Sequence, residues 1–182
     1  MTSVSYYFKI AVLIHLLSKV NKEEKVINKI NNWIDQILEK HSNERVSCEC
    51  FSSQFKGFYP SEFLEKNYFV VVNQIPKPDF PELRQAGLGD FIDTDFVGTT
   101  YKNTYFIKKG QENNLALHFH ELVHVLQWQN LGDLAFISRY MEEILKLGYK
   151  GAPLEKMAYE LEDHFTKKNA PFSILNYVQQ KI

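Results

Sequence analysis

At 182 residues, with 45% hydrophobic and 24% charged side chains and a formal net charge of −1, the chain has the composition of one globular domain able to bury a core without staples. The neutral balance, with no dense Lys/Arg run among aromatics, argues against a nucleic-acid surface, and Lys108-Lys109 and Lys167-Lys168 read as solvated surface. The N-terminal apolar run, Phe8 to Leu17, is too short to span a bilayer and is interrupted by Lys9 and His15, so no membrane partner is expected.

That run also lacks the early basic cluster and the cleavage site of a secretory signal, so it reads as a core helix of a cytoplasmic protein. Two helices are expected at the start, Tyr6–Val20 and Glu23–Lys40. In the second, Val26, Ile27, Ile30, Trp33, Ile34, Ile37 and Leu38 recur at three- and four-residue spacing. Val46–Phe51 reads as a strand with Cys48 and Cys50 on one face. A disulfide so close in sequence would be strained and no second Cys pair exists to complete a zinc site, so two reduced, partly buried thiols are expected.

Pro60 opens a short helix to about Lys66, and Tyr68–Asn73 is a strand by its aromatic and β-branched content. Ile75–Pro81 carries three prolines and must be irregular. A short helical piece at Pro81–Ala86 leads through Gly87 and Gly89 to a strand over Thr99–Ile107. Asn113 or Asn114 caps a helix that runs to about Leu131 and stops at Gly132; Asp133 caps the next, through Leu147, with Gly148 as its stop. Pro153 opens a further helix to about Lys168, and Phe172–Gln180 makes a last helical turn or two. The fold class expected is α+β, mostly helical with a small mixed or antiparallel sheet. It forms a single domain over 1–182, with an N-terminal part to about residue 95 and a core over about 96–168.

Residues 118–127 of that core read His-Phe-His-Glu-Leu-Val-His-Val-Leu-Gln and contain His-Glu-x-x-His at His120, Glu121 and His124. Positions i and i+4 share one helix face, so the two imidazoles can serve one metal ion while Glu121 stands within reach of a water on it. An ion that acidifies water beside a carboxylate that takes its proton is what a hydrolase needs. Leu117, Phe119, Leu122, Val123, Val125 and Leu126 surround the motif with apolar side chains, as a buried metal helix requires.

A catalytic zinc usually has three protein ligands. A third histidine within the motif is absent, since Gln127 and Asn130 stand where a metzincin has its glycine and histidine. The helix from Pro153 offers Glu155, Glu160, Glu162, Asp163 and His164. Leu154, Met157, Ala158, Leu161 and Phe165 mark its buried stripe, with Glu155 and Glu162 along one edge and Glu160 and His164 along the other. Helical geometry leaves these candidates open.

His-Glu-Leu-Val-His-Val-Leu-Gln followed by Pro153-Leu-Glu-Lys-Met-Ala-Tyr159 resembles the gluzincin group of zincin metallopeptidases, and within it small bacterial proteins with a downstream Pro-x-Glu-x-x-Ala-Tyr segment. The likeness spans roughly Gly98–Phe165, and no Asn-Glu-x-x-x-Asp segment of the larger gluzincins is present. The resemblance implies a zincin-like fold whose edge strand, within Gly98–Ile107, lines the cleft, and a zinc ion on His120, His124 and Glu155. It implies a metallopeptidase in which Glu121 is the general base and an extended peptide or protein substrate pairs with Thr104–Ile107. Tyr149, Tyr159 or His164 are candidate oxyanion donors, and Glu142, Glu143 or Glu162 candidate partners for the outer imidazole nitrogens. Two other readings compete: a catalytically silent metal-containing binding or regulatory module, and a helical protein with an accidental motif. Retention of Glu121 between both histidines weighs against the first.

Overall fold

The computed structural model describes residues 3–182, with side chains from residue 22 onward. Helix α1 (Ser3–Lys40) runs unbroken through Asn21-Lys22, where the sequence reading places a division. Neither residue is Gly or Pro, and an ordinary polar residue in a helix interior costs no more than about 0.7 kcal/mol relative to Ala. The side chains of Phe8–Leu17, read above as a core face, lie outside the described residues. Further along, Ile30, Ile34 and Leu38 are buried at the expected spacing.

Among the described residues, four strands form one mixed sheet in the order β1 (Val46–Ser47), β2 (Tyr68–Val72), β4 (Thr104–Lys108), β3 (Gly98–Tyr101). β2 and β4 are parallel, and the two outer pairs are antiparallel. Side chains alternate as strand geometry demands: Phe69, Val71, Tyr105 and Ile107 enter one apolar cluster, Val70, Val72 and Phe106 the other.

Two strand expectations are corrected here. Val46–Phe51 is a strand only at its first two residues, because Ser47 Oγ accepts from the Glu49 amide (3.2 Å) and turns Cys48–Phe51 into a 3-10 coil. Cys48 is therefore buried and Cys50 exposed rather than sharing a face, and both are free. Thr99–Ile107 is a hairpin, not one strand: Tyr101 pairs with Thr104 across the two-residue turn Lys102-Asn103. Lys102 takes φ 58° there, and its ammonium reaches Asp35 of α1 and Asp133 (2.8 Å). Ion pairing to two carboxylates offsets a backbone conformation that usually calls for Gly or Asn.

Helix α2 (Ser61–Glu65) precedes β2; between β2 and β3 the proline-rich stretch is irregular, and then the helical turns α3 (Pro81–Leu83) and α4 (Gly89–Asp93) flank a wide π-type turn, Arg84–Leu88. The helical run thus passes Ala86 because Gly87, at φ 96°, kinks it without ending it. Helices α5 (Leu115–Leu131), α6 (Asp133–Leu147), α7 (Pro153–Thr166) and α8 (Ile174–Lys181) complete the chain. Gly132, not Asp133, is the N-cap of α6, and Asp133 supplies the acidic first turn. α5 is buried from His118 to Trp128 and packs between both apolar clusters, as a helix apolar on all sides must. Among the described residues no helix is long and apolar enough to cross a membrane.

Candidate metal centre

Asn114 starts α5, its Oδ1 accepting from the Leu117 amide (3.2 Å), and this sets the phase of the motif. One helical turn then separates His120 from His124, whose Nε2 atoms lie 3.1 Å apart. α7 crosses α5 with Pro153 at its first position and its Leu154 amide held by Glu143 Oε2 (2.8 Å). That seating delivers Glu155 from the first turn of α7 to the two imidazoles. Glu155 Oε1 lies 3.4 Å from His124 Nε2, and Oε2 lies 3.5 Å from His120 Nε2. All three side chains are buried, with relative exposures of 4% (His120), 5% (His124) and 2% (Glu155).

The outer faces of the imidazoles decide what these atoms can bind. His120 Nδ1 donates to Glu162 Oε2 (3.0 Å). Gln127 Nε2 donates to the Leu154 carbonyl (2.9 Å), so its Oε1 faces His124 Nδ1 (2.8 Å). Both Nδ1 atoms therefore carry hydrogen, and both Nε2 atoms point inward at a carboxylate. Glu155 Oε2 is buried without a hydrogen-bond partner. The two Nε2 atoms and this carboxylate converge on one point, an arrangement that calls for positive charge, supplied either by protons on the imidazoles or by a metal ion. Tetrahedral zinc bonds of about 2.0–2.1 Å place ligand atoms about 3.3–3.4 Å apart, and the three observed separations bracket that value. His120, His124 and Glu155 can hold a metal ion, and their donor set suits zinc.

The chain matches no protein family, no curated protein and no solved structure.

Glu121, 4% exposed, turns away from the helix axis toward β3, where Thr100 Oγ1 donates to its Oε2 (2.6 Å). Gly98 makes room for the other oxygen, since a Cβ there would stand 2.3 Å from Glu121 Oε1. Burial raises the Glu121 pKa, with His120, His124 and Thr100 opposing. Burial alone would lower the His120 pKa, but the carboxylates of Glu155 and Glu162 outweigh it and hold the imidazole up at about 10. Glu155 is the converse: burial would raise it, yet His124 and His120 keep it well below the usual carboxylate range. The field at this point favours positive charge.

Of the α7 candidates, Glu155 faces the histidines and Glu162 backs one of them, while Glu160 and Asp163 are exposed. His164 Nε2 bonds the Ala170 carbonyl (2.9 Å), which removes it from the oxyanion candidates. Tyr149 lines the same cavity as the histidines, and Tyr159 sets its ring 4.5 Å from that of His120, the two hydroxyls 3.3 Å apart. Glu143 seats α7 and Glu142 pairs with Lys146, so neither backs an imidazole. The sequence reading missed Gln127, although its place one turn past His124 puts it on that histidine's face. It also missed Tyr140, whose hydroxyl donates to Glu155 Oε1 (2.6 Å), and Thr100. Finally, Thr104–Lys108 lies inside the sheet with both neighbours paired, so it cannot accept an added strand; the free edge beside the centre belongs to β3.

Proposed function

We propose that the protein is a zinc-dependent hydrolase, a metallopeptidase of the gluzincin-like kind within a zincin-like fold. The observation that carries this reading is the convergence of two imidazole Nε2 atoms and a buried Glu155 oxygen without a hydrogen-bond partner, beside the buried carboxylate of Glu121. A zinc ion held by His120, His124 and Glu155 supplies an acidified water and a polarised carbonyl.

The remaining work falls to the chain. Glu121, fixed by Thr100 and made more basic by burial, takes a proton from the water and returns it to the leaving amine. A pKa raised by burial makes the carboxylate a stronger proton acceptor than an exposed one. Tyr149 and Tyr159, whose phenols burial keeps protonated, are placed to donate to a developing oxyanion. An extended peptide adds along β3, where the Trp128 indole already holds the Thr100 carbonyl (3.2 Å), leaving the Gly98 end for pairing. Free Cys48 and Cys50 fit a reducing compartment such as the cytoplasm.

Glu121→Gln tests this directly. The variant should retain zinc and lose hydrolysis of a peptide library by about 10²–10⁴-fold, the range of a general base. Undiminished hydrolysis would remove Glu121 from the reaction. Zinc binding with no hydrolysis by either protein would favour the silent binding module.

A further inference from the structure

The centre opens on a cavity of about 120 Å³ whose composition divides sharply. His120, Glu121, His124, Glu155 and Thr100 make one end. The rest is mainly apolar, with Ile34 of α1, Ile92 of the segment before β3, Trp128 of α5 and Ile144 of α6, and the Tyr140 and Tyr149 rings also line it. The polar atoms that reach these walls are engaged elsewhere. Trp128 Nε1 donates to the Thr100 carbonyl (3.2 Å), Tyr101 hydroxyl to the Pro76 carbonyl (2.8 Å), and Lys77 Nζ to the Ile92 and Thr94 carbonyls. Among the described residues, the one buried unpartnered side-chain atom on the cavity wall is Glu155 Oε2, at the metal end.

Water needs two to four polar partners to be held, and the far walls are mainly apolar with most of their polar groups already paired, so the cavity favours an apolar guest. A charged or amide side chain placed there would be left unpaired. Size narrows the guest further, since an apolar cavity of about 150 Å³ accepts benzene. We propose that this cavity receives one bulky apolar side chain of the substrate, benzyl- or isobutyl-sized, next to the bond that is cut. The inference rests on the hydrolase reading for the word substrate, and on the cavity alone for the chemistry of its guest. Two of its walls, α1 and residues 83–92, lie outside the part of the chain that carries the motif.

Two experiments separate the cavity from the reaction. In the first, benzene is titrated into the purified protein and followed by calorimetry and by the thermal unfolding midpoint. One saturable site and a raised midpoint are expected in wild type and should be lost in Met141→Trp, which fills the cavity from a partly buried position; Met141→Phe serves if that variant does not fold. No saturable binding by wild type overturns the proposal. In the second, zinc-loaded protein is offered peptides that vary at the residues flanking the cut. Leu or Phe at one flanking position should exceed Ala by at least about ten-fold in kcat/KM, with Asp and Lys rejected. Cleavage indifferent to that side chain also overturns the proposal. Absence of all cleavage would instead overturn the hydrolase reading, and the benzene titration, which needs no turnover, would still decide the cavity.

Discussion

Gly98→Ala is the smallest change that separates metal binding from catalysis. The added Cβ would lie 2.3 Å from Glu121 Oε1 and 3.0 Å from both Glu121 Cδ and Leu117 Cδ1. Ordinary contact begins at 3.4 Å, so the carboxylate oxygen must retreat by about 3.4 − 2.3 = 1.1 Å or the strand must lift. Retreat strains or breaks the 2.6 Å bond from Thr100, the one side-chain hydrogen bond to the Glu121 carboxylate among the described residues. Overpacking of this kind costs about 1–3 kcal/mol of stability. A shift of about 1 Å in a catalytic group lowers rates by about 10²-fold. None of the atoms nearest the new methyl group belongs to His120, His124 or Glu155, the proposed zinc ligands, so zinc content should stay at the wild-type level. The assay is kcat/KM on the best library peptide, alongside zinc content and the unfolding midpoint. A Gly98→Ala protein that hydrolyses at the wild-type rate with zinc in place would refute the claim that β3 positions Glu121 for proton transfer.

Two further outcomes follow from the same contacts. Tyr140→Phe removes the hydroxyl that donates to Glu155 Oε1 at 2.6 Å, so zinc affinity, read by competition with a chelating dye, should fall by about 10–100-fold, as when other outer partners of ligands are lost; unchanged affinity would show that Glu155 needs no such support. Cys48 is buried with its thiol pushed up to about 12, chiefly by desolvation, whereas Cys50 is exposed. Alkylation of the native protein should therefore modify Cys50 alone, and mass spectrometry in urea should show both modified.

The juxtaposition of His120, His124 and Glu155 was legible where its geometry is local. His120 and His124 are one turn apart on a helix that nothing interrupts, and Glu155 follows Pro153, which fixes where α7 begins. Helix ends were legible for the same reason, as at Asn114, Gly132 and Gly148. What failed depends on contacts distant in sequence. The hairpin turn at Lys102-Asn103 has no glycine to announce it and relies on Asp35 and Asp133, which only the fold brings near. Placing Thr104–Ile107 at the sheet edge failed with it, because unfolding the hairpin into one strand hides β3. Thr100 and Gly98 reach Glu121 only once β3 docks on α5, and Tyr140 reaches Glu155 only once α6 and α7 pack. The break assigned near Asn21 reflects a weak propensity overridden by helix continuity.

The central claim is that His120, His124 and Glu155 hold zinc, and elemental analysis of protein purified without added metal tests it most directly. About one zinc per chain in wild type, lost in His120→Ala and in Glu155→Ala, is the result this account predicts. Wild-type protein that takes up no zinc after the ion is offered and the excess removed would contradict it.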